Sequence, residues 1–251
     1  MEQDIQQLVN RSIELLSLET AQDRDSTPYQ SLGQCVLDAV YSINARYLTV
    51  RKVVQSYCQE FGVQERRKHR DRVPSIESQC SVDEFLRHLN SYGPQNLATE
   101  VFDNRSKVRW KLKSQIAIEF AQVLSNHNVE YWQDVPRVSC LNACEEDILK
   151  VYGIGEPTWK YFLMLCRLDD FCKPDRMLRR FVGGPGGCMV AAREAEWLIT
   201  KAHSILVSSY PTLTLRLLDH EIWLYERARQ NDTQAKVKGY MRNQNEWSPL
   251  R

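Results

Sequence analysis

Apolar residues recur along most of this chain at spacings of three and four, the mark of helices with one buried face. Ile5, Leu8, Val9, Ile13, Leu15, Leu16 and Leu18 form the first such stripe, within residues 1–20. A polar stretch at 21–31 interrupts it. Leu32, Cys35, Val36, Ala39, Val40 and Ile43 begin a second stripe, which Val50, Val53, Val54 and Tyr57 resume after Ser42-Ile43-Asn44-Ala45-Arg46. Residues 32–60 therefore read as a helix pair or one bent helix. Residues 62–80 are strongly charged and read as loop with some helix. Ser81, with Glu84 three residues on, is a capping box in front of VDEFLRHLN, and SYGPQN at 91–96 reads as a loop. The stretch from about 100 to 125 reads as one helix, cationic at its start and apolar through Val108, Leu112, Ile116, Phe120 and Leu124.

The next stretch organises the rest. A helix through Asp147–Val151 meets Gly153-Ile154-Gly155, and a second apolar helix runs from about Pro157 to Cys166. Glycine supplies positive φ and close backbone approach in such a turn. Proline suits a first helical turn, where its missing N–H costs little. The turn thus offers amide groups of a helix N-terminus to an anion such as a DNA phosphate. Further along, Lys173-Pro174-Asp175 opens a basic helix carrying Arg176, Arg179 and Arg180. GGPGG at 183–187 ends it as a flexible break, and two more helices follow, AAREAEWLITKAHSILVSS and TLRLLDHEIWLYERARQ. The polar tail after Asn231 reads as frayed.

Composition narrows the class. A 43% hydrophobic and 26% charged chain is ordinary globular material, and no apolar run approaches the roughly 20 residues that span a bilayer. The N-terminal MEQDIQQLVNRS is not a secretory signal, which makes the cytoplasm the default. Eight cysteines occur, but Cys140-x3-Cys144 and Cys166-x5-Cys172 are not zinc spacings, and buried structural thiols are the simplest reading. Formal net charge is only +1, so any nucleic-acid surface must be local. Basic residues do cluster, at Arg66 to Arg72, at Arg105, Lys107, Arg109, Lys111 and Lys113, and around Asp175. The first cluster reads equally as a solvated face; the last, beside the hairpin and aspartate, reads as phosphate contact.

Val151-Tyr152-Gly153-Ile154-Gly155-Glu156-Pro157-Thr158-Trp159 followed by Lys173-Pro174-Asp175 resembles the hairpin-plus-aspartate signature of the helix-hairpin-helix (HhH-GPD) superfamily of base-excision DNA glycosylases. The resemblance extends over about residues 32–225. Ser42-Ile43-Asn44 is similar to the segment whose polar amide enters DNA at the extruded base, with a helix cap as the other reading of Asn44. Leu217–Trp223 is a weaker match to the closing helix of alkyl-purine glycosylases, where His220 reads as structural. No cysteine follows Cys188, so the iron–sulfur cluster of many members is absent.

The resemblance implies an all-α, two-lobed HhH-GPD fold, with residues 33–165 forming the lobe that ends in the hairpin and residues 1–32 plus 166–251 the lobe carrying the aspartate. It implies a monofunctional DNA N-glycosylase. A carboxylate, here Asp175, would stabilise the oxocarbenium-like transition state of a base flipped from the duplex. Gly153, Ile154, Gly155, Lys160, Asn44, Arg105, Lys173, Arg176 and Arg179 would contact DNA, and Tyr41, Tyr47 and Trp159 would wall the base. Bifunctional members place a lysine nucleophile where this chain has Pro157, so strand nicking is not expected; Lys160, one turn on, is a displaced candidate or a phosphate contact. No cofactor is required, although hairpins of this kind hold a structural monovalent cation, K+ or Na+, through carbonyls corresponding to Tyr152, Gly153 and Gly155. Double-stranded DNA is the expected partner, the protein is expected to be a monomer, and no membrane is involved. Repair and antiviral excision of modified phage bases both fit. The alternative is a non-catalytic helix-hairpin-helix DNA-binding protein.

Overall fold

The structure is a computed structural model, and it describes residues 2–21, 27–70, 72–138, 142–184 and 189–245, with side chains up to Gln230. Its elements are α1 (Glu2–Leu15), α2 (Leu32–Tyr41), α3 (Tyr47–Glu60), α4 (Val82–Asn96), β1 (Lys107–Val108), β2 (Lys111–Leu112), α5 (Lys113–Asn126), α6 (Val135–Val138), α7 (Asn142–Lys150), α8 (Glu156–Leu165), α9 (Arg176–Gly183), α10 (Ala192–Leu206) and α11 (Leu215–Asn245). The protein is mostly helical, consistent with an all-α class. Among the described residues no helix is long and apolar enough to cross a membrane. The chain divides into two compact units, Arg24–Phe171 as one continuous segment and Met1–Asp23 with Cys172–Arg251 as the other. The sequence reading drew these divisions at 32/33 and 165/166.

The continuous unit is built on α2, every residue of which is buried. It packs against α3, α5 and α8, so it is covered on all sides, with Gln34 and Asp38 as polar residues among its buried apolar ones. The Gln34 side chain accepts the Ser31 N–H at 3.0 Å and fixes its start. Gly33 lets α4 approach, since a Cβ there would stand 2.6 Å from the Phe85 ring. One acid lies within this core: Asp38 accepts the hydroxyls of Tyr29 at 2.7 Å and Tyr161 at 3.1 Å. Burial pushes both phenols far above their ordinary range, and the Asp38 charge adds to that.

Three local expectations differ from the structure. Residues 91–96 are not a loop. Only Gly93 leaves helical geometry (φ 70°, ψ 165°), and Pro94 opens a second helical segment that runs on through a wider turn at Leu97–Val101. The helix expected from residue 100 begins only at Lys113, because residues 107–112 pair as a two-stranded antiparallel hairpin, Lys107 with Leu112 and Val108 with Lys111. The first basic cluster is not wholly a solvated face. Arg67 is buried with its guanidinium 3.9 Å from the Trp132 ring, and Arg66 lies 3.8 Å over Tyr29. Ser81 caps α4 as expected by accepting the Glu84 N–H at 3.0 Å.

In the other unit α1 packs on α10, and α9 packs on α10 and α11. Leu8, Val9, Leu178, Phe181, Ile199, Leu218 and Ile222 fill its core. Arg11 donates to the carbonyls of Phe181 (2.7 Å) and Val182 (3.2 Å), occupying the open end of α9. The chain leaves that helix through Gly184 at φ 77°; the rest of the GGPGG break, residues 185–187, lies outside the described residues. The last helix does not fray at Asn231 but continues to Asn245.

Candidate nucleic-acid interface and carboxylate site

The glycine hairpin of the continuous unit forms as the pattern predicts. Gly153 stands at φ 90°, where a side chain would be strained, and a Cβ there would come within 3.1 Å of Val108 and Ile116. Gly155 is extended (φ −127°) and precedes α8. Pro157 has no N–H, and the Thr158 amide donates to the Gly155 carbonyl at 2.9 Å. The Thr158 amide is thereby lost to the phosphate that the sequence reading placed at this turn. The Gly155 carbonyl also accepts the Trp159 amide at 3.2 Å, so among the three carbonyls named for a cation this one is committed to α8.

Several predicted contacts turn inward. Ile154 is buried, which leaves only its backbone for DNA. Trp159 does not wall a base: it is 1% exposed and stacks on Phe162, with ring centroids 5.6 Å apart. Tyr41 is equally buried, edge-on to Phe102 at 5.6 Å. Tyr47 and Lys160 are half-buried, while Asn44 and Arg105 are exposed. Asn44 sits at φ 50° in the turn between α2 and α3, where asparagine is tolerated better than most residues. That turn is held from beneath by Lys113, whose buried ammonium donates to the carbonyls of Tyr41 (3.0 Å) and Ile43 (2.6 Å). Burial lowers the Lys113 amine to about 8. Lys113 is therefore a structural cation rather than a surface contact.

The hairpin β1–β2 was missed in the sequence and abuts the glycine turn. At its tip Trp110 is 67% exposed, with its ring 4.6 Å from that of Tyr152. Lys111 pairs with Glu119 at 2.6 Å. Arg105, Lys107 and Arg109 are exposed around it.

Asp175 belongs to the other unit. Its carboxylate caps α9, accepting the Met177 N–H at 2.7 Å, and the Lys173 ammonium lies 3.8 Å from it. The surrounding arginines are less available than their sequence suggests. Arg179 donates through Nε to the Val190 carbonyl at 2.6 Å, and Arg180 pairs with the buried Glu226 at 3.4 Å. Arg176 is exposed. A second carboxyl, unforeseen in the sequence, completes the cluster: Asp219 of α11 accepts the Lys173 N–H at 3.1 Å. Burial, reinforced by the nearby Asp175 charge, pushes Asp219 up to about 8, against the opposing Lys173 amide and ammonium. The cluster thus pairs a solvent-reachable carboxyl with a buried one that holds its proton at neutral pH. A groove of about 620 Å³ in the same unit is walled by Arg11, Phe181, Tyr225, Glu226 and Arg229, and Asp175 is not among its walls.

The signal that could have found Asp219 lies in α11. Leu215, Leu218, Ile222 and Glu226 share its helical face, so an acid there falls on the stripe that turns inward.

The chain belongs to the family described as a domain of unknown function, DUF8548, whose model matches residues 6–227. Neither the curated proteins nor the solved structures compared with it gave a match.

Proposed function

We propose that the protein is a monofunctional DNA glycosylase of helix-hairpin-helix type, which flips out a damaged or modified base and hydrolyses its N-glycosidic bond. The observation that carries this reading is the carboxylate cluster. Asp175 stands at the head of α9 with a lysine ammonium and a buried second carboxyl beside it. A fixed carboxylate can stabilise the positive charge that builds on the sugar and orient the attacking water. The glycine turn between α7 and α8 supports DNA as the partner at Gly155, where an added Cβ would meet only Pro157 Cδ, at 3.6 Å, and the backbone is open to close approach. Pro157 in the nucleophile's place is the reason to expect an abasic product without strand scission.

The test is release of free base, followed by mass spectrometry, from normal, alkylated, deaminated and phage-modified DNA. A base released by wild type and not by Asp175→Asn supports the reading and names the substrate. Binding to all of these DNAs with no base released from any of them overturns it. One observation favours a second reading, a DNA-binding protein without chemistry: the Asp175 carboxylate already has a structural task as the cap of α9. Asp175→Asn leaves DNA affinity equal or stronger under either reading, and abolishes base release only under the first.

A further inference from the structure

We propose that Trp110, at the tip of the β1–β2 hairpin, is a platform on which an unpaired base of bound DNA stacks, which makes locally unpaired DNA the preferred ligand of this surface. Among the described residues Trp110 is the most exposed large apolar side chain. Water contact on an indole of this size is costly in the free protein, and a flat partner removes it.

The residue is held out rather than left loose. Its strands pair in register, and Arg109, the first of the two turn residues, is at φ 53°, a region seldom occupied by a residue other than glycine. Such strain persists where surrounding structure imposes it. Here the support is visible. Val108, on the inner side of the hairpin, packs over Gly153, with 3.1 Å to the position of a Cβ there. Tyr152 backs the indole at 4.6 Å, its plane tilted by 37°. The Lys111 ammonium, clamped by Glu119, lies 5.7 Å from the Tyr152 ring and 6.0 Å from that of Trp110.

Charge selects the occupant. Lys107 and Arg109 are exposed, and so is Arg105 just before them. An exposed aromatic face on a segment rich in cations matches a base with its flanking phosphates. Stacking tolerates any base, because every base has a π face, while the cations track the backbone. The platform adjoins the glycine turn, so one strand could meet both. The inference rests on the reading of DNA as partner, not on base excision.

The test is fluorescence anisotropy with labelled duplexes, one perfectly paired and one with a single unpaired base, across a salt series. Wild type, Trp110→Ala and Trp110→Phe are compared. Wild type should prefer the duplex with the unpaired base. Trp110→Ala should lose that preference, by about tenfold to a hundredfold, and keep its salt slope, since the phosphate contacts remain. Trp110→Phe should keep most of the preference. Equal preference in wild type and Trp110→Ala overturns the proposal while leaving DNA as partner. If wild type binds neither duplex, or binds without salt dependence, the DNA reading and this inference fail together. An unpaired-base preference without base release sinks catalysis and spares the platform.

Discussion

The Asp219 carboxyl accepts, through Oδ1, a hydrogen bond from the backbone amide of Lys173, 3.1 Å away. That bond ties α11 to the segment leading into α9. It is made by an acid that burial has pushed up to about 8, whereas an unfolded aspartate titrates near about 4. Between those values the folded state binds the extra proton, so this group's contribution to stability falls as pH rises through the window and levels off above it. The slope approaches about 1.4 kcal/mol per pH unit. Thermal unfolding from pH 5 to 9 should show this loss in wild type. Asp219→Asn, which keeps an oxygen acceptor for Lys173, should flatten it.

Asp175 has two roles to separate. Asparagine can still accept the Met177 N–H, so Asp175→Asn should alter stability by only a few tenths of a kcal/mol. Asp175→Ala loses the cap and should cost about 1 kcal/mol. Both should abolish base release. Denaturant unfolding beside the release assay reads the two effects independently, and a variant stable yet fully active would remove Asp175 from the chemistry.

The two hairpin glycines should respond differently. Gly153→Ala puts a side chain at φ 90° and within 3.1 Å of Val108 and Ile116, which should cost about 1–3 kcal/mol. Gly155→Ala meets only Pro157 Cδ, at 3.6 Å, in an extended conformation, and should fold normally. A loss of DNA affinity in Gly155→Ala with unchanged melting would locate the close approach of the nucleic acid backbone at that residue.

Lys113 gives a pH effect of opposite sign in the continuous unit. Burial lowers its amine to about 8 against an ordinary 10.5. From pH 8 to about 10.5 the unfolded chain binds more protons, so this group's contribution to stability rises with pH. The difference in unfolding free energy between wild type and Lys113→Met should therefore grow in favour of wild type over that range.

Much of the helical framework was legible because long stripes at spacings of three and four survive any tertiary context: α1, α2, α3, α7 and α8 all follow them. The errors have local causes. Gly93-Pro94 was read as a stop, yet proline at the start of a helical segment is as favourable as it is disruptive inside one. Val108 and Leu112 continue the spacing of Ile116 and Phe120, so a hairpin of two-residue strands was hidden inside a helical pattern. Arg66, Arg67 and Lys113 looked like surface charge; aromatic faces and backbone carbonyls absorb them, and such partners lie far away in sequence. The same holds for the site. Asp175 was visible from its place before a basic helix, but Asp219 comes from another helix. Trp110 was one of six tryptophans, and only the turn beneath it sets it apart.

The discontinuous unit has a consequence for how the chain comes off the ribosome. Residues 24–171 are contiguous and can begin to condense while synthesis continues. Helix α1 emerges before that segment but finds its packing partner, α10, only after the whole of it has been made. Until then its apolar face, with Leu8 and Val9, has no native surface to cover it. The entropic cost of closing so long a loop grows only with the logarithm of its length, and early folding of the intervening segment shortens the effective span. Nascent α1 thus waits with its apolar face uncovered, and a chain truncated before residue 192 would leave it so.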